Sequence, residues 1–152
     1  MSGLRRAAAA VSAVALMGFV SAKAQESAPG RSVGDALIGI DAFEALRSRG
    51  AVETVDVRLA SEFRAAHIPG AISIPLQEIG GRADEIKRYA QGRPVVTCCA
   101  CRDEHASLEA ARILVSCGVL NARALKGGYA GWAAWCETAG RGCRSGRILG
   151  RP

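Results

Sequence analysis

Aromatic side chains are scarce in this chain, 5 % of 152 residues, and neither sign of charge dominates it strongly. A surface that binds nucleic acid needs a basic stripe or stacking rings, so no nucleic-acid partner is expected. Long hydrophobic runs are missing as well. The N-terminal apolar stretch, Ala7 to Val20, is 14 residues long. A membrane-crossing helix needs roughly 20, so no permanent membrane span is expected. No cysteine follows that stretch as a point of lipid attachment, and no internal repeat is visible.

The start of the chain has the build of an export signal. Met1-Ser2-Gly3-Leu4-Arg5-Arg6 is positively charged, the apolar stretch follows, and Ala22-Lys23-Ala24 has the pattern of a cleavage site, the order found in secretory signals. Residues 1–24 are therefore expected to be a signal peptide, cut after Ala24 to leave a periplasmic protein. About 128 residues then remain, enough for one domain with a real core and too few for two. Loss of Arg5, Arg6 and Lys23 takes the basic count from 20 to 17 against 14 acids, so the net charge falls from +6 to +3. Residues 25–34 are polar, contain Pro29-Gly30 and read as a flexible lead-in. Residues 137–152 read as a basic Gly/Arg-rich tail, with Arg141, Arg144, Arg147 and Arg151 separated by no acid.

Between lead-in and tail, periodicity alternates. Asp41 to Arg49 is helical in pattern, with Ala42, Phe43 and Leu46 on one side and Gly50 at the stop. Val52 to Val57 is a β-branched run that reads as a buried strand. Ser61 to Arg64 is a helical turn broken by His67-Ile68-Pro69-Gly70, Ala71 to Ile74 is a strand stopped by Pro75, and Leu76 to Ala90 is helical with an interruption at Gly80-Gly81. Val95 to Cys98 is the most strand-like segment, Ser107 to Cys117 the clearest helix, and Val119 to Leu125 the last strand. This alternation predicts an α/β fold, a single domain over residues 35–136 with a mostly parallel central sheet and helices on both faces.

Six cysteines in an exported chain would ordinarily suggest a disulfide framework. Cys98, Cys99 and Cys101, however, crowd into four positions, which suits a reactive or metal site better than a set of staples. Cys136 and Cys143 flank a Gly-rich turn and are a candidate disulfide. In a parallel sheet, ligands bind beyond the carboxyl ends of the strands. The strand at 94–98 runs into Cys99-Ala100-Cys101-Arg102-Asp103-Glu104-His105-Ala106, and a helix is expected from Ser107. The loop thus meets a helix N-terminus, whose free N–H groups and dipole favour an anion. Such a setting lowers a thiol's pKa, and the thiolate is the nucleophile.

Three blocks carry a family resemblance. They are Val55-Asp56-Val57-Arg58 with Glu62-Phe63 and His67-Ile68-Pro69-Gly70-Ala71, then Cys99 opening a loop to Ser107, then Leu125-Lys126-Gly127-Gly128-Tyr129-Ala130-Gly131-Trp132. From about Asp35 to Trp135 the chain resembles the rhodanese, or sulfurtransferase, homology domain. The resemblance implies a mostly parallel sheet wrapped by helices. It also implies a loop cysteine that takes a sulfane sulfur from a donor such as thiosulfate and passes it, as a persulfide, to a thiol or cyanide-like acceptor, with no cofactor and no resident metal. Loop amides would hold the donor's oxygens and later the persulfide.

Counting forward from Pro94 places the nucleophile at Cys99, and counting back from Ser107 places it at Cys101. The loop is two residues longer than usual and looks like a C-x-C-x-x-E variant of the domain. Cys99 is preferred, with Cys101 the alternative. Ala100, Arg102, Asp103, Glu104, His105, Ala106 and Ser107 are the candidate substrate-binding residues. Arg102 is a candidate to hold an anionic donor and His105 to stabilise a thiolate. Asp103 and Glu104 bring negative charge, which raises a thiol's pKa and disfavours thiosulfate. Asp56, Arg58, Glu62 and His67 are expected to pair and hydrogen-bond around the loop as structural residues, and Gly127 and Gly128 to allow a tight turn.

Two other functions compete. Neighbouring thiols in an oxidising compartment can cycle between dithiol and disulfide or hold a soft metal such as Cu(I), and the fold also serves as a non-catalytic binding module. Zinc lacks a second ligand pair at structural spacing. A phosphatase needs an arginine near the end of the loop, where this chain has His105-Ala106-Ser107.

Overall fold

The computed structural model describes residues 36–138 together with Gly140 and Cys143. The expected signal peptide, the lead-in and most of the expected tail lie outside the described residues. In chain order the elements are β1 (Leu37–Ile38), α1 (Ile40–Arg47), β2 (Glu53–Asp56), α2 (Ala60–Ala65), β3 (Ile72–Ser73), a 3-10 turn (Leu76–Glu78), α3 (Ala83–Ala90), β4 (Val95–Cys98), α4 (His105–Ser116), β5 (Ala122–Leu125) and α5 (Gly128–Thr138). The strands lie in the order β1-β5-β4-β2-β3, and every pair is parallel.

β4 is the central strand, and all four of its residues are buried. Its β-branched run suits a strand covered on both faces. Side chains along it alternate between those faces. Val95 joins Val55, Ile86 and Leu114 in the core beneath α3 and α4, while Val96 and Cys98 join Phe43, Leu125 and Trp132 beneath α1 and α5. Helices therefore cover both faces, as the alternating pattern predicts.

Three differences from the expected pattern bear on the site. β1 and α5 were not anticipated, and α5 continues to Thr138, so residues 137 and 138 are helix and not tail. α4 starts at His105, two residues before the expected Ser107. The cause is the turn before it: Glu104 adopts the left-handed conformation at φ 54° and gives its carbonyl to the Leu108 N–H, and the Asp103 carboxylate accepts from the His105 N–H. Among the described residues, no helix is long and apolar enough to cross a membrane.

Candidate active site

Beyond β4 the chain turns to α4 and then to β5 on one side, whereas beyond β2 it turns to α2 and then to β3 on the other. Loops that diverge from neighbouring strands leave a crevice at their carboxyl ends, the usual ligand position in such sheets. Here that crevice is a cleft of about 400 Å³. Arg58, Leu59 and Glu62 form one wall, Cys99, Cys101 and Ala106 the other, and Leu76 and Gln77 close the end.

The cysteine cluster divides along the strand's two-residue period. Cys98 turns to the α1/α5 face and is fully buried. Burial pushes its thiol well above the ordinary range, and the Asp56 carboxylate pushes it further, so Cys98 is a protonated spectator. Cys99 turns to the α4 face at the floor of the cleft and is 2 % exposed. It donates to the Ser107 hydroxyl at 3.4 Å, which in turn donates to the Glu104 carbonyl at 3.0 Å. Cys101 stands at the exposed rim of the same cleft, close enough for the Cys99 thiol to act on its pKa.

The expectation that the helix N-terminus lowers the thiol pKa is corrected for Cys101. The Ala106 N–H does point at its sulfur and pulls the pKa down, but burial, the Cys99 thiol and Asp103 together outweigh that pull and leave it raised.

The other loop residues divide between the cleft, as expected for Ala100 and Ala106, and places away from it. Ala100 and Ala106 line the cleft, and Ser107 is buried in the first turn of α4, tied to β4 through its carbonyl by the Thr97 hydroxyl at 2.7 Å. Arg102, Asp103 and His105 are exposed and do not border the cleft, because the left-handed turn at Glu104 carries them outward. Glu104 is the clearest correction. Its carboxylate does not oppose an anion in the cleft. It accepts the Gly127 N–H at 2.5 Å.

That bond is one of two that hang the loop on the β5–α5 turn; the other runs from the Tyr129 N–H to the Cys99 carbonyl at 2.8 Å. Gly127 and Gly128 have φ of 78° and 54°. A Cβ on Gly128 would collide with the Cys99 carbonyl, so backbone contact needs glycine there.

Asp56 and Arg58 form a buried, forked ion pair with a shortest contact of 2.6 Å, and Arg58 also donates to the Ala66 carbonyl and lies 4.1 Å over the Tyr129 ring. Arg58 therefore links the first and last signature blocks while bordering the cleft, a role its reading as purely structural missed. Only its place after β2 hinted at it. Glu62 accepts the Leu59 N–H and also borders the cleft. His67 stacks on Phe63 and meets that residue's carbonyl, away from the loop. Cys136 and Cys143 are joined as a disulfide. A soft ion would find two thiols in the cleft; among the described residues no group of three or more His, Cys, Asp or Glu is placed to hold a metal.

The sequence pattern of the rhodanese-like domain family matches residues 40–134, most of the chain and all of the elements that build this cleft. The chain belongs to the rhodanese-like family. Structures of the same fold include the human single-domain sulfurtransferase TSTD1, 24 % identical with a TM-score of 0.55 over 65 % of this chain and 96 % of that one. The BH2092 protein of Bacillus halodurans is 27 % identical, with a TM-score of 0.59 over 66 % and 73 %. The Alr3790 protein of Anabaena is 24 % identical, with a TM-score of 0.61 over 74 % and 94 %. A curated relative, the HTH-type transcriptional regulator Rv0324 of Mycobacterium tuberculosis, is 43 % identical over 53 residues. That stretch is 35 % of this rhodanese-like chain and about a fifth, 22 %, of the regulator.

Proposed function

We propose that this chain is an exported sulfurtransferase that carries a sulfane sulfur as a persulfide on Cys99. The observation that carries the reading is the position of Cys99: it directly follows the central strand at the floor of the cleft, hydrogen-bonded to Ser107 in the first turn of α4. In the first half-reaction the Cys99 thiolate attacks the outer sulfur of a donor such as thiosulfate, and sulfite leaves. In the second, a nucleophilic acceptor removes that sulfur and frees the thiolate. Arg58 borders the cleft, but its charge is matched by Asp56 and the Glu62 carboxylate lines the cleft as well, so the walls do not select a donor by charge. Likeness to a named sulfurtransferase adds support at the level of the fold.

Incubation with sulfane-sulfur donors followed by intact-mass measurement tests the reading. One added sulfur atom is expected on Cys101→Ser, where Cys99 is left to hold it, and none on Cys99→Ser. Unchanged transfer by both Cys99→Ser and Cys101→Ser would sink it. A dithiol redox role is favoured by the two loop thiols lining one cleft; it predicts instead a loss of two hydrogens on mild oxidation, with no sulfur gained by the parent chain or by Cys101→Ser from any donor.

A further inference from the structure

The proposed loading step uses Cys99 and leaves Cys101 without a role, yet the two share one cleft. They are two residues apart in sequence and line it together, Cys101 at the exposed rim and Cys99 at the floor. The Ala106 N–H, free at the start of α4, points at Cys101 Sγ and is a ready donor to negative charge there. Cys99 is nearly closed off, so a bulky external thiol reaches it poorly, whereas Cys101 is already beside it.

We propose that Cys101 is the resolving thiol of the site, attacking Cys99 Sγ once that sulfur carries a persulfide, so that the product released is hydrosulfide. This deepens the sulfurtransferase reading and rests on it. The Cys101 thiolate forms a bond to Cys99 Sγ as the bond from Cys99 Sγ to the terminal sulfur breaks. The electron pair of the broken bond leaves with that sulfur, which already holds its proton, as HS⁻. The sulfane sulfur is reduced to sulfide and the two thiols are oxidised to a Cys99–Cys101 disulfide. An external dithiol then restores both thiols by exchange, becoming a disulfide itself.

The test uses the reduced full chain, Cys99→Ser and Cys101→Ser, each given one equivalent of benzenethiosulfonate, whose leaving group is a sulfinate and not a thiol. Sulfide is trapped and the loop peptide is weighed. The parent chain should release one sulfide per chain and yield a loop peptide lighter by two hydrogens. Cys101→Ser should release none and stay one sulfur heavier, and Cys99→Ser should take up no sulfur. A parent chain that keeps the added sulfur and releases no sulfide overturns the resolving role while the persulfide reading stands. Failure of both the parent chain and Cys101→Ser to take up sulfur overturns both.

Discussion

Adjacent residues on a strand point to opposite faces, and Cys98 and Cys99 show what that does to two identical side chains. One is sealed beside Asp56 on the far face of the sheet; the other reaches the cleft. Cys101, at the rim, should be alkylated first, with Cys99 slower by at least about tenfold, because thiol reactivity follows access as well as thiolate content; peptide mapping after timed iodoacetamide treatment checks this. Against the pull of the Ala106 N–H, Cys101 is held above an ordinary thiol by burial, by Cys99 and by Asp103. Asp103→Asn removes one upward push, so the pH of half-maximal Cys101 alkylation should fall. A rise, or no change, would mean the carboxylate does not act on the sulfur.

At the scale of elements, the loop is set by three partners: β4, the first turn of α4 and the β5–α5 turn. Gly128→Ala forces a Cβ against the Cys99 carbonyl and a side chain into the left-handed region. A cost of about 1–3 kcal/mol is expected, together with loss of sulfur transfer; a wild-type melting temperature and full activity would contradict the packing described. Glu104→Ala strands the Gly127 N–H and should cost about 1–3 kcal/mol in urea unfolding, with Glu104→Gln retaining part of the loss.

The alternation of strands and helices was legible because β4 and α4 are long enough to show their periods. The start of α4 was not, because Asp103 and Glu104 act through a local turn that apolar spacing does not record. β1, at two residues, is too short to have a pattern. α5 begins with a glycine and carries Tyr129, Trp132, Ala133 and Cys136 on one face, but Ala130, Gly131 and Ala134 leave the opposite side without polar contrast, which blurs the stripe. The cysteine cluster was visible in the sequence, but its division between two faces followed only once the register of β4 was known.

On the scale of the whole molecule, α5 closes the face of the sheet that holds Cys98. Trp132 donates to Glu44 at 2.6 Å and Trp135 to Asp41 at 3.0 Å, so the last helix is tied to the first. The Cys136–Cys143 disulfide closes a short loop, with a sequence separation of 7, at the end of that helix. Chain-entropy arguments put a loop of that size at roughly 2–3 kcal/mol. Paired Cys136→Ser and Cys143→Ser substitutions should lower the unfolding free energy by that order. Equal stability with and without the bridge would remove it as a support of the fold.

The two bonds that suspend the cysteine loop from Gly127 and Tyr129 have a consequence for synthesis, which runs from the N-terminus onward. A nascent chain ending at Leu125 already contains each loop sulfur but lacks the anchor that shapes their pocket. The pocket around Cys99 is therefore incomplete until residues 127–129 join the fold, and a chain truncated before them would lack both bonds.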